Sequence, residues 1–351
     1  MTTRASVLLA TLAVSTRASD ADDIAAAITP IVQKMATKYS CAVSVALKGD
    51  AEKPVAVKVA AGEISRGGRS LTTADPMVWG SITKMLTGTA VLRLVDEGHI
   101  GLQDPVAPVI DAFLAKMAAK DPTQGFAALS DLFGDGVKAV TVKDLLHMHS
   151  GIPDYDTASP GRHPKDTLRT DSYAHPNRSY TPAQLLTLPW VKTGRLLFKP
   201  GTCETWRYYN CYSSTNFLLL GLLLAGHAGV QSWEEYDQGR VLSAVSSDFD
   251  HLKFAVKGAP QAWTPVHGYD ETHYNNQSTP HDVHAVAGVF GGWTASDLVG
   301  DAMDTAALAQ VRLLARASSN AGSNRGWRPV EPDASPPAWP KARSLHMPSH
   351  A

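Results

Sequence analysis

Met77-Val78-Trp79-Gly80-Ser81-Ile82-Thr83-Lys84-Met85 opens a long helical pattern. From Trp79 to Glu97 the residues Ile82, Met85, Leu86, Thr89, Leu92 and Val95 recur at steps of three and four, and Gly98 stands where a helix usually terminates. On such a helix Ser81 and Lys84 share one face, so the hydroxyl and the amine can come within hydrogen-bonding reach. The pairing has a chemical use. A serine hydroxyl is a poor nucleophile at neutral pH, while burial among Met85, Leu86 and their neighbours disfavours an ammonium charge and lets the amine act as a base. The helix N-terminus also favours negative charge developing on an attacking oxygen. A Ser-x-x-Lys alone is weak evidence, because most such pairs are solvated helix faces, so its context decides.

Upstream, Cys41 to Lys48 alternates around Val43, Val45 and Leu47, turns at Gly49 and Asp50, and is answered by Val55, Val57 and Val59: a hairpin. Before it, Asp22 and Asp23 open an expected helix whose apolar positions are Ile24, Ile28, Ile31 and Met35, kinked or shortened by Pro30. Residues 1–19, with Arg4 ahead of the apolar run Val7 to Val14, read as a secretory signal peptide; the alternative is a start that runs straight into that helix. Cys203 and Cys211 are close enough to bridge a local loop in an oxidising compartment, which points to a secreted or extracytoplasmic protein. Cys41, among Ala42, Val43 and Val45, reads as a small buried hydrophobe.

Composition narrows the function classes. Of 351 residues, 32 Lys+Arg against 33 Asp+Glu leave a net charge of −1, which gives no footprint for nucleic acid. Hydrophobic residues make up 44% and charged residues 19%, enough for a sizeable core. The longest apolar run, Phe217 to Leu224, is too short for a bilayer span and fits a buried helix. His147 with His149, and His281 with His284, lack partners for a zinc set, so no metal or other cofactor is expected. Beyond about Ser318 the sequence loses periodicity, and residues 318–351 read as an unstructured tail.

The context of Ser81 is informative. Its segment, the helix ending Val95-Asp96-Glu97-Gly98, and Ile100-Gly101-Leu102-Gln103-Asp104-Pro105-Val106 resemble the serine beta-lactamase and penicillin-binding protein family, in its class C and esterase-like branch. Val140 to Leu146 followed by His149-Ser150-Gly151-Ile152 resembles the segment leading into that family's helical domain; locally it reads as a helix end closed by Gly151. The family's Tyr-x-Asn follows a Pro-Gly, here Pro200-Gly201. Two tyrosines compete, in Tyr208-Tyr209-Asn210 and Tyr212-Ser213-Ser214, and the spacing to Gly221 favours Tyr212, with Ser214 in the Asn position as a substrate-binding donor. A Cys203–Cys211 bridge would then pin an insertion beside the tyrosine.

The resemblance implies an α/β (α+β) fold, with an antiparallel sheet flanked by helices and a mostly helical domain. The sheet part falls at about 20–100 and 283–317 and the helical part at about 104–282. It implies acyl transfer by Ser81, with Lys84 and Tyr212 managing its proton, on a small ester, lactam or peptide amide. Trp206, Tyr208, Tyr209 and Tyr212 would rim the cleft. The family's third element, a Lys-Thr-Gly or His-x-Gly strand, has no counterpart after the Gly291-Gly292 segment; Lys192-Thr193-Gly194 comes too early and reads as a loop. The motif-by-motif likeness therefore runs from about Ala42 to Leu314 and omits the closing strands, as though the frame were cut short. Because that strand supplies an oxyanion donor worth roughly a hundredfold to a thousandfold in rate, the alternative is a catalytically impaired or inactive binding protein.

Overall fold

A computed structural model describes residues 3–49, 53–124, 127–156, 167–203, 211–237, 252–271 and 280–309. The expected tail lies outside them. Helix α1 (Thr3–Tyr39) precedes an antiparallel hairpin of β1 (Val43–Lys48) and β2 (Ala56–Ala61), in register Val45↔Val59 and Leu47↔Val57. The sequence reading started α1 at Asp22. The helix instead runs unbroken from Thr3 and continues through Pro30, because the intervening Ala, Leu and Val residues hold no glycine or other proline to stop it.

The hairpin also selects a different stripe of α1. Ala21, Ile24, Ala25, Ile28 and Val32 pack on Val57 and Val59, whereas Ile31 and Met35 are 62% and 42% exposed. Spacing alone allows either 31 or 32 to follow 28, and the position of β2 decides for the i+4 step. Cys41 is exposed and unbonded, correcting the expectation of a buried residue: it lies in the turn between α1 and β1, before the strand begins.

A second sheet has the order β3 (Met77–Val78), β7 (Leu298–Gly300), β4 (Lys253–Phe254), all antiparallel; β5 (Tyr269–Asp270) and β6 (His281–Asp282) form a third. The expected single sheet is thus present as small antiparallel pieces. Between them lie α2 (Thr83–Asp96), α3 (Ala107–Lys120), α4 (Leu129–Phe133), α5 (Val142–Leu146), α6 (Leu168–Ala174), α7 (Pro182–Leu186) and α8 (Thr215–His227). Gly98 ends α2 as expected: its N–H donates to Val95 and that of His99 to Leu94, the Schellman pattern.

Helix α8 is the axis of the core. Every residue from Thr215 to Ala225 is buried, as an all-round apolar helix requires, and α2, α3 and α5 pack around it. Gly221 is needed there by close approach: a Cβ at that position would sit 2.1 Å from Thr294 Oγ1. Gly151 does not close a helix, since α5 stops five residues earlier at Leu146. It lies against Phe198, whose carbonyl oxygen would be 2.2 Å from an added Cβ.

Candidate active site

Strand β3 leads straight into the nucleophile candidate. The Trp79 N–H donates to Leu298 O at 2.9 Å and its indole to Gly300 O at 3.2 Å, fastening the approach to β7. Gly80, at φ +55°, then turns the chain in the left-handed region that suits glycine. Ser81 follows in a single 3₁₀ turn, Gly80–Ile82, and the regular helix begins only at Thr83. The expected helix start at Trp79 is therefore four residues early, because the glycine conformation interrupts it. Ser81 and Lys84 nonetheless remain one turn apart.

The side chains meet. Lys84 Nζ donates to Ser81 Oγ at 3.1 Å, and Ser81 Oγ lies 2.7 Å from Tyr212 Oη. Ser81 is exposed, whereas Lys84 is only 7% exposed, so an accessible hydroxyl stands above a buried amine. The amine also donates to Ala295 O at 2.9 Å and lies 5.3 Å from the Tyr212 ring centroid and 5.8 Å from that of Phe217. With its protons directed at two oxygens and its flanks against two aromatic faces, the Lys84 head has a fixed position.

Tyr212 is set by the segment before α8. The Ser214 N–H donates to Asp154 Oδ1 at 2.9 Å, Thr215 Oγ1 to Pro153 O at 2.8 Å, and the Tyr155 N–H to Thr215 Oγ1 at 3.1 Å. One residue further, Ser150 Oγ donates to Asn216 Oδ1 at 2.6 Å and Asn216 Nδ2 to Ser213 O at 2.9 Å. Residues 150–155 thus clamp the loop that carries the phenol. Ser214, read as a substrate donor, is 3% exposed, with its N–H held by Asp154. Tyr208, Tyr209 and Trp206 lie outside the described residues. Cys203 and Cys211 are disulfide-bonded, with Cα atoms 5.9 Å apart, so the covalent staple ends one residue before Tyr212.

The third wall is the turn before β7. Thr87 Oγ1 donates to Thr294 O at 2.7 Å, Thr294 Oγ1 to Phe217 O at 2.9 Å, and the Leu298 N–H to Thr83 Oγ1 at 3.1 Å. The turn that presents Ala295 O is therefore bolted to both α2 and α8. Inside it, Asp297 is 1% exposed, and burial raises its carboxyl to about pH 7 against hydrogen bonds from Ser296, Trp293 and Gly292 that favour ionisation. Burial also raises the Tyr155 phenol, helped by the charges of Asp156, Asp297 and Asp154. Among the described residues no group of three or more His, Cys, Asp or Glu side chains could hold a metal ion.

A protein-family model described as beta-lactamase matches residues 39–345. The chain belongs to the beta-lactamase family. Its match extends past Leu314, where the motif-by-motif likeness stopped. Among solved structures, a D-stereospecific amidohydrolase from Streptomyces sp. is 22% identical with a TM-score of 0.54, covering 79% of this chain and 70% of that one. D-amino acid amidase from Ochrobactrum anthropi, complexed with L-phenylalanine, is 18% identical with a TM-score of 0.57, over 84% and 70%. EstCE1, a hydrolase with promiscuous acyltransferase activity, is 19% identical with a TM-score of 0.53, over 82% and 72%. These likenesses bear on the fold, which is that of the beta-lactamase family.

Several residues that build this beta-lactamase-family site were not singled out from the sequence. Ala295 contributes a carbonyl, which no side-chain motif can announce. Ser150 lay in a segment read as a helix end, Asp154 in a loop-rich stretch, and Thr215 counted only as a spacer between Tyr212 and Gly221, although a polar residue such as Thr215 or Asn216 at the head of a wholly apolar helix is a signal in itself. Lys192-Thr193-Gly194 sits in the loop after α7, where the Gly194 N–H donates to Leu132 O at 2.8 Å.

Proposed function

We propose that the chain is a serine hydrolase that transfers the acyl group of an ester, lactam or peptide amide through Ser81. The observation that carries this reading is the contact of Ser81 Oγ with both Tyr212 Oη and Lys84 Nζ. When the Lys84 ammonium donates to Ser81, the serine's own proton has Tyr212 as its partner in the trio; the step starts from the Tyr212 phenolate, whose oxygen takes that proton and becomes the neutral phenol. As that proton leaves, Oγ forms a bond to the substrate carbonyl carbon and the carbonyl π electrons move onto oxygen. Collapse re-forms the carbonyl and expels the alcohol or amine, which takes the proton from the Tyr212–Lys84 pair. The ester left on Ser81 is then cleaved by water through the same steps.

Amide, amino-acid and acyltransferase chemistry in the solved relatives supports a small carbonyl substrate. The disulfide and the leader-like residues 1–19 support an extracytoplasmic setting. No helix among the described residues is long and apolar enough to cross a membrane. A second reading, an impaired or inactive binding protein, is favoured by the lack of a Lys-Thr-Gly or His-x-Gly after Gly292. Turnover of a panel comprising p-nitrophenyl acetate, a chromogenic cephalosporin and D- and L-amino acid amides separates the two. Hydrolysis of any of them by the wild type, lost in Ser81→Ala, supports the enzyme; no turnover by the folded wild type supports the binder.

A further inference from the structure

Asp297 touches none of the three groups above, yet it organises the turn that holds one of them. Its Oδ2 accepts the Trp293 N–H at 2.5 Å and its Oδ1 the Ser296 hydroxyl at 2.6 Å, while its own N–H donates to Trp293 O at 2.9 Å. Trp293, the first residue of the 3₁₀ turn Trp293–Ala295, sits at φ +41°, a conformation that a bulky L-residue keeps only when its surroundings impose it. The restraint comes from this side chain, buried and bonded at both oxygens. Two residues along the same turn is Ala295, whose carbonyl grips Lys84.

Ser296 extends the network towards the other wall. A Cβ added at Gly292 would lie 1.8 Å from Ser296 Oγ and 2.7 Å from Tyr155 Oη, so the two hydroxyls converge on that glycine and pack side by side. The Tyr155 backbone N–H in turn holds Thr215, three residues beyond Tyr212. Tyr155 is 2% exposed, and the remaining charges facing this network belong to Asp154 and Asp156. A continuous buried path therefore joins the Ala295 carbonyl to the loop that carries the phenol, passing behind the trio.

We propose that Asp297, Ser296 and Tyr155 form a positioning unit that sets the separation of the Lys84 amine from the Tyr212 phenol. The unit acts through Ala295 and Thr215 and contacts no substrate. This rests on Ser81 being the nucleophile, and its test is the kinetics of Ser81 modification by a fluorophosphonate in the full chain. The maximal labelling rate reads the activation of Ser81, and the half-saturating concentration reads probe binding. Asp297→Asn keeps the volume but sets an amide NH2 against a backbone or hydroxyl donor. It is expected to lower the maximal rate by about 10- to 100-fold, as small misplacements of catalytic groups do, with half-saturation changed less than about twofold.

Leu132→Ala, a core truncation in α4, serves as the control for stability loss, and the maximal rate should stay within about threefold of wild type at a temperature where it is folded. Tyr155→Phe removes only the hydroxyl and carries the test if Asp297→Asn does not fold; a fall of about 3- to 10-fold in maximal rate is expected. Wild-type rates in folded Asp297→Asn, or in Tyr155→Phe where only that variant folds, overturn the positioning role. A wild-type protein that does not label overturns the hydrolase reading beneath it.

Discussion

Gly221→Ala tests how α8 and the Lys84-binding turn fit together. In an ordinary helix interior, alanine is favoured over glycine by about 1 kcal/mol. Here the new methyl would stand 2.1 Å from Thr294 Oγ1, 2.6 Å from its Cγ2 and 2.8 Å from its Cβ, and Thr294 is fully buried. Thr294 must move, which costs about 1–3 kcal/mol of overpacking. Its bonds to Phe217 O and from Thr87 would go with it, at about 1 kcal/mol each. Against the helix gain, the net loss is about 3 kcal/mol, a fall in Tm of about 6–10 °C for a large domain.

Urea and thermal denaturation measure this loss directly. Thr294→Ala removes two of the three crowding atoms, so the double variant should be at least about 1 kcal/mol more stable than the sum of the single effects predicts. Because Thr294 precedes Ala295, Gly221→Ala should also slow Ser81 labelling at temperatures where it remains folded. A Gly221→Ala protein as stable as wild type, or more so, refutes the close approach from which this reasoning starts.

Other outcomes follow from the same geometry. Asp297 has a carboxyl raised to about 7 against an ordinary value near 4, worth about 4 kcal/mol; the native state keeps a proton that the unfolded chain has released. Its contribution is therefore greatest below about pH 4 and declines as pH rises to about 7, and Asp297→Asn should flatten that part of a stability–pH curve measured by urea titration. Asp75 behaves oppositely. The half-exposed Arg69 guanidinium, bonded to it at 2.8 and 2.5 Å, and Thr72 hold its carboxyl well below the usual range, so its contribution is present above about pH 4 and lost on acidification. Asp75→Asn should cost about 1–3 kcal/mol at pH 7 and distinctly less at pH 2, where the contribution is only partly lost, checked by denaturation at both. Reducing Cys203–Cys211, which are 8 residues apart, should lower stability by about 2–3 kcal/mol, read as a Tm shift with and without reductant.

The meeting of Ser81, Lys84 and Tyr212 was legible because the first two stand at fixed local spacing, and the register from Tyr212 to Gly221 singled out the phenol that contacts Ser81 despite the cysteine-bracketed insertion. The apolar run Phe217–Leu224 announced a buried helix for the same reason. What the sequence withheld depends on distant packing. Whether Ile31 or Val32 faces inwards is decided by β2, and the exposure of Cys41 by where β1 begins. The contacts of Thr294 and Ala295 arise only when a turn near residue 295 meets α2, more than 200 positions earlier, and α8. Their residue types would be unremarkable in any polar loop.

The central claim is that Ser81 is activated where it meets Lys84 and Tyr212. Peptide-level mass mapping after fluorophosphonate treatment tests it most directly, in the wild type and in Lys84→Ala and Tyr212→Phe. The account predicts one adduct, on Ser81, forming about 10²- to 10⁴-fold more slowly in each variant. A folded wild-type protein that stays unlabelled, or carries its adduct elsewhere, contradicts it.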